Sequence, residues 1–178
     1  MQNRPWLTGS LLCFVVALAP AVATAQIDVG GIVRKASSAA GGAARTEALK
    51  QVNKKLLADG RKNQCSFVTD SDQLTPGCDQ KLKNLTNALV AAKKRLDSSK
   101  IENYKFEVSG HTDSRGKADH NKELSKKRAA VIVKELVARG IPENEIIAIG
   151  EGSDRPLVTP DDTDAKRAKN RRYEIQVR

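Results

Sequence analysis

The segment SGHTDSRGKADHNKELSKKRAAVIV, Ser109 to Val133, passes from a strand end through a polar loop into a helix. Just upstream, Tyr104, Phe106 and Val108 alternate with Lys105, Glu107 and Ser109, the period of two expected of a half-buried strand. Downstream, helical periodicity runs from about Ala118 to Arg139, and Gly140 and Pro142 are residues that stop a helix. One residue is out of place. Arg128 shares its helix face with Asn121, Leu124, Val131 and Ile132, where an apolar side chain is expected. A guanidinium on that stripe needs a partner, and Asp113 in the loop GHTD stands fifteen positions earlier.

Working outward, strands and helices alternate on both sides of this segment. Cys65 to Thr69 reads as a short strand, and SDQLTPG as a turn with Pro76 placed to open a helix. Leu82, Leu85, Leu89 and Leu96 mark one helical face. Ile146 to Ile149 is a continuous apolar strand. Tyr173, Ile175 and Val177 alternate with Arg172, Glu174 and Gln176 in a last strand. This order predicts an α/β sandwich, with helices on one face of a mixed sheet. Residues 64–178 form that domain.

Residues 26–63 differ in composition. They are rich in Ala, Gly and Ser, and Gly30-Gly31 and Gly41-Gly42 read as helix breakers. Leu49, Val52 and Leu56 predict a short amphipathic helix between Ala44 and Ala58. Such a helix either lies on the domain or docks a protein partner in the cell envelope.

The first 25 residues have the features of a secretory signal: Arg4, an apolar run from Leu11 to Ala19, Pro20, and Ala23-Thr24-Ala25 before Gln26. The apolar run is too short for a bilayer, which takes about 20 residues. Removal takes one basic residue and no acidic one, so the net charge falls from +10 to +9. Cys13 is a poor lipidation site, because Leu12 stands where a small residue is needed. The mature chain is expected outside the cytoplasm. In an oxidising compartment Cys65 and Cys78 read as one disulfide, with two buried thiols as the alternative. A zinc site lacks ligand spacing, and nothing in the sequence calls for a cofactor.

The loop of His111, Thr112 and Asp113 follows a strand and precedes a helix, a position where ligands gather. Asn121, Leu124 and Arg128 lie on one helix face, and their side chains lean toward the helix start, where the loop returns. Asp113 and Arg128 can therefore approach one cleft. They could equally pair with each other as a structural ion pair.

The run GHTDSRGKADHNKELSKKRAAVIVKELVARGIPENEIIAIGEGSDRPL, followed by KRAKNRRYEIQV, resembles the OmpA-like peptidoglycan-binding domain. GHTD, N-x-x-LS-x-x-RA, the Gly-Ile helix stop, the G-x-G…P turn and the terminal NRR-x-E come in that family's order. The resemblance covers about Asn63 to Arg178 and implies a βαβαββ fold. It also implies non-covalent binding of peptidoglycan through the meso-diaminopimelate of its stem peptide, in the periplasm of a Gram-negative bacterium, with association to the outer membrane left open. The family's Asp maps onto Asp113, to accept from the ammonium of that residue. Its helix Arg maps onto Arg128, to grip the carboxylate. Asn121, Leu124 and Arg171 map onto further site positions, and Thr112 joins by neighbourhood. The chemistry agrees: a zwitterion needs an acceptor and a donor held apart, and Arg offers the bidentate fork.

The chain also departs from that pattern. His120 stands where an aromatic residue usually precedes the Asn. CSFVTDSDQL is a poor match to the usual F-x-F-D strand, and a Cys65–Cys78 disulfide would compensate for it. Two other functions are weaker. Basic blocks such as KKR at Lys126 to Arg128 look like phosphate binders, but an exported chain with Phe67, Phe106, Tyr104 and Tyr173 as its mature aromatics offers little for base stacking. An envelope hydrolase would need a nucleophile beside His111 and Asp113, and none is matched to them. The sequence therefore predicts a binding module and no enzyme.

Overall fold

The computed structural model describes residues 29–178, with side chains from residue 41 onward. The expected export signal, with Trp6 and Cys13, lies outside the described residues. Strand β1 (Phe106–His111) sits at the centre of a three-stranded sheet, parallel to β2 (Ile146–Gly152) and antiparallel to β3 (Tyr173–Val177). Helix α1 (Val29–Lys62) packs on β3, and α2 (Asp79–Ser98) packs on α1. Helix α3 (Ala118–Val137) makes the crossover from β1 to β2 and packs on both. A short helix α4 (Asp164–Asn170) leads into β3.

One core joins these elements. Phe106, Val108, Ile146, Ile175 and Val177 of the sheet meet Leu85, Leu89 and Leu96 of α2 and Ile132 and Leu136 of α3. Each such side chain contributes about 1.5–3 kcal/mol by leaving water. Two glycines set how closely α3 approaches. A Cβ on Gly110 would collide with the Ser125 carbonyl, and one on Gly150 with the backbone of Lys122 and Lys126. At the far end Gly140 takes φ 98°, and the Ile141 N–H returns to the Leu136 carbonyl at 3.2 Å, closing the helix.

Several expectations need correction. Cys65–Thr69 is not a strand of the sheet; Phe67 makes one isolated antiparallel bridge with Leu74. Cys65 and Cys78 are joined by a disulfide, Cα to Cα 5.5 Å, which turns this segment back on itself instead of laying it along β3. Pro76 does not open α2, because Gly77 at φ 92° intervenes and the helix starts at Asp79. The glycine pairs do not break α1, which runs 34 residues through them. Glycine in a helix costs only about 1 kcal/mol, and the docked end of α1 sustains the rest. Tyr104 precedes β1, and β1 is buried on both faces. As the central strand it has neighbours on each side. Its polar face is satisfied internally: Ser109 Oγ donates to Glu107 Oε1 at 2.9 Å and Gln176 Nε2 donates to it at 3.1 Å.

The free edge of β3 is covered by α1 and the residues after it. Gln64 donates to the Tyr173 carbonyl at 2.8 Å and accepts from its N–H at 3.0 Å. Asn53 does the same for Val177, at 3.2 and 2.6 Å. Two carboxamides thus imitate a neighbouring strand and blunt an edge that would otherwise invite pairing. Val52 and Leu56 are buried in the core, and Leu49 packs against it. The apolar face that the sequence offered to a partner is occupied by the domain itself. Among the described residues no helix is long and apolar enough to cross a membrane.

Candidate functional site

The carboxyl end of β1 opens into a cleft of about 1000 Å³. Asp113, Arg128, Thr112, Asn121, Leu124 and Arg171 all line it. The loop after β1 is pinned at several points. The His111 and Thr112 N–H groups donate to Arg172 and Gly152 carbonyls, both at 2.8 Å. Asn121 Nδ2 donates to the Arg115 carbonyl at 2.8 Å and to that of Asp113 at 3.4 Å. Asn121 is buried, so its carboxamide shapes the loop from behind. Leu124 is half-buried and gives the cleft an apolar patch. The Thr112 hydroxyl is buried with no hydrogen-bond partner among the described residues.

Asp113 and Arg128 do not pair with each other. The Asp113 carboxylate accepts from Arg115 Nη2 at 3.1 Å, from the Arg115 N–H at 3.2 Å, and from Arg171 Nη1 at 2.7 Å. Burial alone would raise this carboxyl, but the bonds from Arg115 and Arg171 outweigh it and hold the group below the usual carboxylate range. Arg128 occupies another wall. Its Nε donates to the Ser71 carbonyl at 2.8 Å and its Nη2 to that of Val68 at 3.3 Å. The guanidinium lies 5.2 Å from the centroid of the Phe67 ring. The ion pair that sequence spacing allowed is therefore absent. The segment expected as a first strand instead supplies the partners of Arg128.

Sequence reasoning missed Arg115, although the spacing D-S-R is one in which Asp accepts from the backbone two residues on. It also missed Phe67, and Asp161. Asp161 accepts from the Ser114 hydroxyl at 2.5 Å and N–H at 2.9 Å, and those bonds push its carboxyl down to about 2. His111 is 3% exposed. Burial, reinforced by the Arg172 charge, lowers its imidazole to about 4, so it is neutral at pH 7. It makes no hydrogen bond to Asp113, and neither ring nitrogen has one among the described residues. The cleft as a whole is cationic, since Arg61, Arg115, Arg128, Lys169, Arg171 and Arg172 outnumber Asp70 and Asp113.

A mixed sheet backed by helices, with a cleft at the carboxyl end of its central strand, defines an α/β domain whose cleft lies where such sheets commonly hold ligands. The chain belongs to the OmpA family, which matches residues 66–171. It is 45% identical over 71 residues to outer membrane porin F of Pseudomonas fluorescens, covering 40% of this chain and 22% of that protein. It is 38% identical over 64 residues to the peptidoglycan-associated lipoprotein of Rhizobium meliloti (strain 1021), covering 36% of each. The chain thus spans well under half the length of these relatives. The crystal structure of the peptidoglycan-associated lipoprotein from Burkholderia pseudomallei shares the fold, with a TM-score of 0.52 at 23% identity over 65% of this chain and 89% of that one. Helix α1 begins well before the matched region.

Proposed function

We propose that the protein binds peptidoglycan non-covalently, by holding the zwitterionic end of meso-diaminopimelate in the cleft at the end of β1. The observation that carries this reading is that Asp113 and Arg128 face one cleft without neutralising each other. Such an arrangement leaves an acceptor for an ammonium and a fork for a carboxylate. Membership of a family that includes a peptidoglycan-associated lipoprotein supports it.

Asp113 already receives two guanidinium groups, so an incoming ammonium must displace one of them. Arg115 is the one that yields, because its side chain is 63% exposed whereas that of Arg171 is 39% exposed. Arg171 stays and fixes the carboxylate. Leu124 packs on the methylene chain of the ligand. Asn121 and Thr112 hold the loop in place. The role is binding rather than catalysis, since His111 is neutral, buried and turned to Glu174 instead of Asp113.

In this reading residues 1–25 export the chain, residues 26–63 extend the domain, and residues 64–178 hold the wall from the periplasmic side. The net charge of +9 left after removal of residues 1–25 favours approach to the anionic envelope. Co-sedimentation with purified sacculi tests it. The protein should pellet with sacculi, release no soluble fragments, and stay in solution when free meso-diaminopimelate is in excess. Failure to pellet, or release of muropeptides, would remove the reading.

A further inference from the structure

Residues 66–77 form a strap closed at its base by the Cys65–Cys78 disulfide. Its arms are tied together by the Phe67–Leu74 bridge and by the bond from the Val68 N–H to the Gln73 carbonyl, 2.9 Å. At its tip Asp70 takes φ 52°, and its carboxylate meets His120 Nε2 at 2.7 Å. The strap thus touches α3 at two places: His120 in the first turn and Arg128 two turns later. None of this is a pairing that the sheet requires. The strap is a separate element lying along one wall of the cleft, with Phe67, Thr69 and Asp70 in its lining.

How the strap holds Arg128 matters for what Arg128 can still do. A guanidinium has a side edge, made by Nε and Nη2, and an end fork, made by Nη1 and Nη2. The strap takes the side edge through the carbonyls of Ser71 and Val68, and places the Phe67 ring against the plane. Nη1 makes no hydrogen bond among the described residues. The end fork therefore remains for a carboxylate, and its direction is fixed by three contacts from one closed loop. A free Arg side chain spreads over many rotamers, and ordering it costs conformational entropy.

We infer that the disulfide-closed strap is the positioning element of the carboxylate subsite: Phe67, Val68 and Ser71 orient Arg128, so affinity for the wall ligand depends on the Cys65–Cys78 bond. This rests on the binding reading above and adds a control to it. Thiol–disulfide exchange with a dithiol would reduce the cystine by two electrons and two protons, giving two cysteine thiols and the oxidised dithiol. The loop would then keep its sequence and lose its closure. The binding-competent orientation of Arg128 would become one of several. Apparent affinity falls by the fraction of time it is populated, so one part in ten weakens binding about tenfold.

The experiment measures the affinity of the full chain for free meso-diaminopimelate by calorimetry, with and without dithiothreitol, and for the Cys65→Ser/Cys78→Ser pair. Phe67→Leu and Phe67→Tyr are measured beside them. Thermal unfolding is recorded for each, so that loss of fold is separated from loss of orientation. The side-chain Nε–H resonance of Arg128 gives a readout that needs no ligand. The expected result is binding about tenfold weaker in the reduced protein and in the double variant, at temperatures where both remain folded. Phe67→Leu should weaken binding roughly twofold to fivefold, and Phe67→Tyr should restore it. The Arg128 Nε–H signal should be sharp in the oxidised protein and lost on reduction.

Unchanged or tighter binding without the disulfide overturns the inference, the second outcome meaning that the strap competes for Arg128. If these variants bind normally while Arg128→Ala does not, the strap has no positioning role and the binding reading stands. If the oxidised wild type fails to bind meso-diaminopimelate, the binding reading falls and this inference falls with it.

Discussion

Arg171 Nη1 lies 2.7 Å from Asp113 Oδ2, joining the turn between α4 and β3 to the loop after β1 across 58 positions of sequence. This contact holds the acid of the cleft in place and leaves Arg128 free of it. Asp113 is buried, Arg171 is partly exposed, and without Arg171 the carboxylate keeps Arg115 as its charged partner. Arg171→Ala should therefore cost only about 1 kcal/mol or less in urea unfolding, as well as weaken binding. Asp113→Asn and Arg128→Ala should each abolish co-sedimentation with sacculi while circular dichroism stays that of the wild type. Unfolding of both would mark a purely structural role.

Arg115→Ala separates competitor from helper. Its guanidinium is mostly exposed and pairs with Asp113 at 3.1 Å, so solvent screens the pair. If the ligand ammonium must displace it, the variant should bind meso-diaminopimelate up to about fivefold more tightly. Weaker binding in calorimetry would make Arg115 a ligand contact instead.

His111 makes stability depend on pH. Its folded value of about 4 is below the ordinary 6.5, so the fold favours the neutral ring. The unfolded chain takes up the proton first, and stability is lost as pH falls from 6.5 toward 4. The burial penalty, reinforced by Arg172 and partly opposed by Glu174, corresponds to about 3 kcal/mol in full. Urea unfolding at pH 7 and pH 4.5 should show a difference about 2 kcal/mol smaller in His111→Gln than in the wild type. Equal differences would contradict the burial argument.

Gln64→Ala tests the covering of β3. It leaves the Tyr173 N–H and carbonyl without partners, at a cost of about 1–3 kcal/mol. Amide exchange at Tyr173 should speed up, while exchange at Phe106 and Val108 in the central strand changes only with global stability. No change at Tyr173 would mean that water replaces the carboxamide at no cost.

Much of this was legible in sequence. The alternation of Tyr173, Ile175 and Val177 gave β3, and the helical spacing ended by Gly140 gave α3. The anomaly of Arg128 on an apolar stripe pointed to the cleft, and the six named residues line it. What periodicity does not carry is pairing between side chains. Arg115 and Arg128 both stand within reach of Asp113 along the chain, and the turn geometry of the loop decides for Arg115. The segment around Phe67 has the composition of a strand, but a disulfide closing on Cys78 folds it against α3. Asn53 and Gln64 looked like ordinary polar residues of an extension. Their role depends on an open strand edge that local sequence does not reveal.

Titration of the full chain with meso-diaminopimelate and with cadaverine, followed by amide shifts, isolates the carboxylate that Arg128 is held to bind. Cadaverine keeps the methylene chain and both ammonium groups and lacks both carboxylates. Saturable shifts confined to residues 110–130, the strap and Arg171 are expected for meso-diaminopimelate, with binding at least about tenfold weaker for cadaverine. Equal responses to both, or shifts located away from this cleft, would rule out Asp113 and Arg128 as the binding pair.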